Sequence, residues 1–282
     1  MELLRSLGSL IEPPSQETRR LAELLELDPV PEATEHTDLF LLQLYPFASV
    51  YLGSEGQLGG EARDRIAGFW RALDLSPPPE PDHLTVLLAF YSQLHDHQLA
   101  SDAEDHNRWR LIRAAFLWEH LMSWLPVYID KLRDLDPPFY RDWAELLVQA
   151  LRVEVGDLPP PADLPLHLRE APPLNDPRQG EGDSFLEALL SPVRSGLILV
   201  RSDLARAGLD LQLAVRKGER RYVLKALLGQ DDQATLQWLA AEARRWADNH
   251  QTWAPITGPI ASFWSDRASS TAALLEDLAE DL

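Results

Sequence analysis

"FLWEHLMSWLPVYIDKLRDLDPPFYRDWAELL", residues 116–147, decides how the chain is read. Its apolar residues continue a stripe that starts upstream. Trp109, Ile112, Phe116, Leu117, Leu121 and Trp124 recur at the spacing of one helix face until Pro126, which is expected to interrupt it. Pro137-Pro138 then opens a second periodic run, "FYRDWAELLVQALRVEV", proline being tolerated in a first helical turn. Alternating runs of the strand type are scarce on either side. The fold class read from this pattern is all-α.

Upstream, Asp38 is placed to cap "LFLLQLY", which Pro46 ends, and "GEARDRIAGFWRALDL" repeats Ile66, Phe69, Trp70 and Leu73. After a Ser76-to-Pro81 linker, Leu84, Leu87, Leu88, Tyr91 and Leu94 form one stripe. Downstream, Pro159, Pro160, Pro161, Pro165, Pro172, Pro173 and Pro177 mark 156–183 as a connector or extended loop. Helices are expected again at "SFLEALL", "PVRSGLILV", Ser202-capped "DLARAGLDLQL", "ERRYVLKALL" and Asp232-capped "QATLQWLAAEARRWADNH". The last stretch, "STAALLEDLAEDL", reads as a short acidic helix expected to dock weakly or fray.

Composition narrows the chemistry. With no cysteine among 282 residues, disulfides, thiolate zinc sites, iron–sulfur clusters and cysteine nucleophiles are excluded. The net charge of −19 repels phosphate backbones and attracts basic partners. No stretch reaches the roughly 18 apolar residues of a membrane span. Met1-Glu2-Leu3-Leu4-Arg5 lacks the basic start of a signal peptide, so a cytoplasmic protein is expected.

Catalytic readings find little support. His83, His95, His97, His106 and His120 cluster with Asp82, Asp96 and Glu119, yet there is no His-Glu-x-x-His, and His95 and His97 face different sides of a helix. No Gly-x-Ser-x-Gly occurs, and Ser191 and Ser202 stand at helix starts where capping explains them. "YLGSEGQLGG" lacks the Gly-Lys-Ser/Thr of a phosphate loop. A helix-turn-helix reading of residues 201–228 conflicts with the overall acidity.

Two polar clusters remain. Trp118, Glu119 and His120 are consecutive, so they cannot share one buried face, and they point to a polar mouth on an apolar groove suited to a basic peptide. The second is Glu80-Pro81-Asp82-His83. Pro81 is placed to start the next helix and Asp82 to sit at its positive end. That leaves Glu80 and His83 unexplained.

These residues resemble the TorD-like chaperones that mature molybdenum-containing oxidoreductases. "LYPFASVYL" (44–52) is similar to a block in which an aromatic residue and proline precede a small residue and Val-Tyr. "EPDHL" (80–84) is similar to the family's Glu-Pro-x-Asp-His hinge, one spacer residue shorter. Residues 116–147 are similar to the block that carries Asp/Glu-His-Leu, Trp-x-Pro and Pro-Phe-Tyr. The three stand in order across about residues 38–150, and "SPVRSGLILVRSDLARAGLDL" is more loosely similar to a branch with a longer C-terminal part.

The resemblance implies a TorD-like bundle of two helical lobes hinged near 76–83, with an extended C-terminal part. Residues 1–80 would form the first lobe, 81–155 the lobe with the signature block, 156–183 the connector and 184–282 the C-terminal helices. It implies a client-specific chaperone, not an enzyme, that binds the leader, often a twin-arginine signal, or the apo form of a molybdoenzyme until cofactor insertion. Peptide contact would fall to Glu80, Asp82, His83, Trp118, Glu119, His120, Trp124 and Tyr51, with no catalytic or metal-ligating residue and no cofactor. The partner would be a molybdopterin-dependent catalytic subunit or its basic leader, with no nucleic acid and no stable membrane insertion, the chaperone being monomer or homodimer. One alternative binds only the catalytic subunit of a nitrate-reductase-type enzyme. The other is a helical metal-dependent hydrolase using His83, His120 and nearby carboxylates.

Overall fold

The computed structural model describes residues 1–179 and 182–282, and residues 180 and 181 of the expected connector lie outside it. Among the described residues the regular structure is helical, and the one extended pairing is an isolated antiparallel bridge between Phe47 and His83. The chain divides into two compact units, Met1–Ser49 with Gly59–Leu166, and Val50–Leu58 with His167–Leu282.

The first unit contains α1 (Glu2–Ser9), α2 (Gln16–Leu24), α3 (Gly60–Ala72), α4 (Leu84–Ala100), α5 (Ala103–Phe116), α6 (Leu125–Leu135) and α7 (Pro138–Asp157). The stripe on α4 packs against α1 and α5, so Leu84, Leu87, Leu88, Tyr91 and Leu94 are buried as the periodicity predicts. Trp143 on α7 donates its indole N–H to the Leu7 carbonyl at 2.9 Å, and Thr85 on α4 donates to the Gly8 carbonyl at 2.8 Å. Both contacts add a side-chain donor to carbonyls in the last turn of α1, which also accept from the Leu10 and Ile11 N–H groups. A polar set joins α4, α5 and α7: Tyr91 donates to Glu154 at 2.5 Å, and buried Arg113 reaches the exposed Asp157 at 2.5 Å.

Several local readings are corrected in this unit. Asp38 caps nothing, because the helix has already started at Ala33 and widens into a π-type turn at Thr37–Gln43. Nor does the helix of Trp109 run on to Pro126. It leaves α-geometry after Phe116, widens at Leu117–Leu121, and α6 starts afresh with Pro126 in its first turn. Pro137-Pro138 opens α7 as expected, with Pro137 at the N-cap.

The second unit contains α8 (Gly182–Leu189), α9 (Arg201–Asp210), α10 (Arg220–Leu228), α11 (Asp232–Gln251) and α12 (Pro259–Glu280). Its spine is α11 against α12, with small buried residues on both: Ala240, Ala243 and Ala247 on one, Ala268, Ala272 and Ala279 on the other. Such side chains let two backbones approach closely. "STAALLEDLAEDL" is therefore no loosely docked tail but the last turns of α12, with Leu275 fully buried.

Three further expectations shift here. "PVRSGLILV" supplies only the turn Pro192–Ser195, because Gly196 at φ +74° ends it and Leu197–Val200 run on non-helical and buried. The start of α9 is satisfied by Asp203, whose carboxylate accepts the Val200 N–H at 2.8 Å, rather than capped by Ser202. At α11 the cap is Asp231, accepting from Ala234 N–H at 2.9 Å, one residue before the expected Asp232. Within 156–179, Leu166–Arg169 forms one helical turn and Pro177–Gln179 a 3₁₀ turn.

Gly196 supports two predictions. A Cβ there would lie 2.3 Å from the Ala268 N and 2.8 Å from its Cα, at a φ that side-chain-bearing residues rarely adopt. Gly196→Ala should cost about 2–5 kcal/mol, read as a lower urea midpoint. The Gly196 carbonyl also lies 2.9 Å from His250 Nε2. Burial pushes the His250 pKa down to about 4, that carbonyl opposing the shift. The unfolded chain, with an ordinary histidine near 6.5, takes up the proton first as pH falls. Stability from this group is complete above about pH 6.5 and should fall by about 3 kcal/mol as pH drops to about 4. Denaturant titrations at stepped pH should show this loss, and His250→Gln should flatten it.

Candidate functional site

The segment before α4 does not behave as a helix start. Glu80 to Asp82 form a turn, the helix begins only at Leu84, and His83 is its N-cap with no side-chain capping bond. The expected roles of Pro81 as helix opener and Asp82 as an anion at the helix end are thus corrected. What the segment does is pair with the block ending in "PFAS". Leu84 N–H donates to the Pro46 carbonyl at 2.8 Å and Ala48 N–H to the Asp82 carbonyl at 2.9 Å. The buried Asp82 carboxylate accepts a third bond, from Ser49 N–H at 3.3 Å. Two of the three sequence blocks therefore meet through their backbones.

This pairing orders the side chains around it. The His83 ring stands edge-on to Phe47 with centroids 4.7 Å apart, and its Nδ1 lies 3.8 Å from a Glu12 carboxylate oxygen. Burial lowers the His83 pKa, against the pull of Glu12, Glu80 and Asp82. The imidazole is accordingly neutral at neutral pH and does not oppose a cation. Glu80 is exposed and the Glu12 side chain is 51% exposed. The solvent-facing chemistry here is two carboxylates beside a neutral imidazole.

Glu119 and His120 lie in the widened turn Leu117–Leu121, where Met122 N–H donates back to the Leu117 carbonyl at 2.8 Å. Turns of this kind often mark functional positions, since the extra residue re-aims side chains. His120 is buried, its ring edge-on to Phe69 at 5.3 Å and Phe116 at 5.2 Å. Glu119 is half-buried, and its carboxylate accepts the Leu166 N–H at 2.8 Å, at the start of the Leu166–Arg169 turn.

Trp118 and Trp124 face inward. Trp118 donates its indole N–H to the Pro159 carbonyl at 2.8 Å, and fully buried Trp124 donates to the His120 carbonyl at 2.9 Å. They serve the interior of the first unit, as large aromatics do when their polar atom finds a partner. Tyr51 is buried and belongs to the second unit. Among the described residues no three His, Asp or Glu side chains are grouped to hold a metal ion.

Sequence reading missed Glu12, which is 71 positions from His83 and carries no motif. It missed Phe47 as the ring partner of His83, although Phe47 stands inside a quoted block. The Leu166 amide on Glu119 was also out of reach, since a backbone donor has no sequence signature.

The pairing makes a prediction. Asp82→Ala removes the acceptor of a buried N–H and should cost about 1–3 kcal/mol, whereas Asp82→Asn keeps an acceptor oxygen and should recover most of the loss. Equilibrium denaturation of the two variants beside the wild type reads the difference.

Comparison with known proteins places this unit. A family model described as "Nitrate reductase delta subunit" matches residues 11–130. A protein described as "Chaperone protein TorD" from Vibrio parahaemolyticus serotype O3:K6 is 28% identical over 115 residues, 39% of this chain and 54% of that protein. Proteins of the same description from two strains of Vibrio vulnificus are 30% identical over 128 residues, 41% of this chain and 59% of each relative. The match thus spans little more than half the length of these curated relatives. Among the described residues no helix is long and apolar enough to cross a membrane. Over residues 11–130 the chain is thus similar to the nitrate reductase delta subunit family and to proteins described as TorD chaperones, in agreement with the TorD-like resemblance of the blocks at 44–52, 80–84 and the first part of 116–147.

Proposed function

We propose that the protein is a chaperone for a molybdenum-containing oxidoreductase, holding the apo catalytic subunit, at or near a basic leader, until cofactor insertion. The observation that carries this reading is the family match over residues 11–130, which includes both Glu80–His83 and Glu119–His120. The relatives named as chaperones support a binding protein rather than an enzyme. The side chains of the rival hydrolase reading are otherwise engaged, Asp82 with the Ser49 amide and His120 between Phe69 and Phe116.

The contact surface we infer is narrower than the full set of expected residues. Glu80, Glu12 and His83 form its accessible edge, and Glu119 lends a half-buried carboxylate. Asp82, Trp118, His120 and Trp124 are buried within the first unit. A guanidinium paired with such a carboxylate contributes about 1.5–3 kcal/mol, or roughly ten- to a hundredfold in affinity. A net charge of −19 alone would give weaker attraction, spread over many residues and screened by salt. A second reading follows from the description of the matching family: binding to the catalytic subunit without its leader.

Calorimetry with the leader peptide of the molybdoenzyme encoded beside this chain, and with that catalytic subunit lacking its leader, separates the readings. The proposal expects leader binding that weakens about tenfold in Glu80→Gln and Glu119→Gln but not in Glu23→Gln. Glu23 is exposed and remote in sequence from both clusters. Binding only by the leaderless subunit favours the second reading. Binding of neither, with every molybdenum-dependent activity intact in cells lacking the chain, would refute both.

A further inference from the structure

With 45 acidic and 26 basic side chains, the chain has more than enough carboxylates to pair every arginine. In the second unit several arginines are paired in this way. Arg178 meets Asp176, Asp277 and Asp281, and Arg206 meets Asp203 and Glu242. Arg221 meets Glu187, Arg244 meets Glu276 and Arg245 meets Glu242. Arg194 and Arg267 differ. Both are partly buried and both line one cavity of about 310 Å³. Among the described residues neither has a carboxylate within ion-pair distance, and the exposed Asp266, which also lines the cavity, pairs with neither.

Their hydrogen bonds go instead to backbone carbonyls of the proline-rich segment. Arg194 donates through Nε and Nη2 to the Pro173 carbonyl at 3.4 and 3.3 Å, and Arg267 donates through Nη2 to the Ala171 carbonyl at 2.6 Å. The Arg267 guanidinium also lies 5.0 Å from the centroid of the Phe263 ring. These contacts hold both side chains while leaving Arg194 Nη1 and Arg267 Nε and Nη1 with no acceptor among the described residues. Burial lowers the pKa of both groups, and for Arg267 the charge of Arg194 lowers it further. Arginine nevertheless stays charged in proteins, so two like charges share a partly dehydrated site in which neither forms an ion pair with a carboxylate of the described residues.

We propose that this cavity binds a phosphate monoester with a small apolar group, its dianion held by Arg194 and Arg267. Two guanidinium forks match the charge and the oxygen geometry of a phosphate group. Pro173, Leu174 and Phe263 supply apolar lining for the esterified group, and Ser270 adds an exposed hydroxyl. The volume lies at the lower end of small-molecule sites. Because the surface as a whole repels anions, binding here rests on these two side chains. The proposal is independent of the chaperone reading.

The test is calorimetry of the full chain with phenyl phosphate, inorganic phosphate and benzoate at constant ionic strength. Phenyl phosphate should bind most tightly, and Arg194→Gln and Arg267→Gln should each weaken it about tenfold or more. Arg201→Gln, at an exposed arginine of the same unit, should leave it unchanged. A second measurement needs no variant: phenylglyoxal modification of the wild type, mapped by mass spectrometry, should show phenyl phosphate protecting Arg194 and Arg267 but not Arg201. Absence of saturable phenyl phosphate binding, or of protection at both arginines, would overturn the site. Benzoate binding equally well would overturn the dianion, and inorganic phosphate binding equally well would overturn the ester.

Discussion

Three backbone N–H groups, those of Leu84, Ala48 and Ser49, hold the segment before α4 against the segment after Pro46. An X-Pro-rich stretch has few donors of its own and tends to stay extended, so it needs fixing from outside. Here the fixing comes from an antiparallel bridge within otherwise helical surroundings. The bridge sets where α4 begins, and α4 in turn packs on α1 and α5. Its side chains place Phe47 against His83, and His83 within reach of Glu12. The acidic edge of the first unit is thus a consequence of backbone pairing and not of a helix end.

The two polar clusters are built by different physics. Around His83, burial keeps an imidazole neutral while carboxylates stay in solvent. Around Glu119, a widened helical turn carries one carboxylate outward between two buried neighbours, and a backbone amide holds it. Each arrangement places a carboxylate beside a histidine that is buried or partly buried. In the second unit the opposite holds, with two arginines lining one cavity and neither of them ion-paired with a carboxylate among the described residues.

The fold class was legible because the stripes of Leu84 to Leu94 and of Phe139 to Leu151 follow helical spacing, and those faces are buried. Helix ends were less legible, for specific reasons. Ser202 and Asp232 stand one residue from groups that do the capping or satisfy the helix start, and adjacent polar residues cannot be ranked without the backbone path. The widening at Leu117–Leu121 was not legible, because the spacing of Phe116, Leu117, Leu121 and Trp124 fits an ordinary helix face and a wider turn leaves no signature of its own in residue types. "STAALLEDLAEDL" was underrated because its acidic face is visible in sequence while its alanine seam with α11 is not. The site was legible as residue types, Glu80, Asp82, His83, Glu119 and His120, but not as roles. Asp82 became a backbone clamp and both tryptophans became core.

Hydrogen exchange at the Ala48, Ser49 and Leu84 amides, in the free protein and with the client's leader peptide bound, tests the central claim most directly. The account predicts slow, concerted exchange of all three in the free protein and further slowing with the peptide, since the clamp presents the edge proposed to receive it. Exchange at the rate of an open linker, or rates at these amides that the bound peptide leaves unchanged, would contradict it.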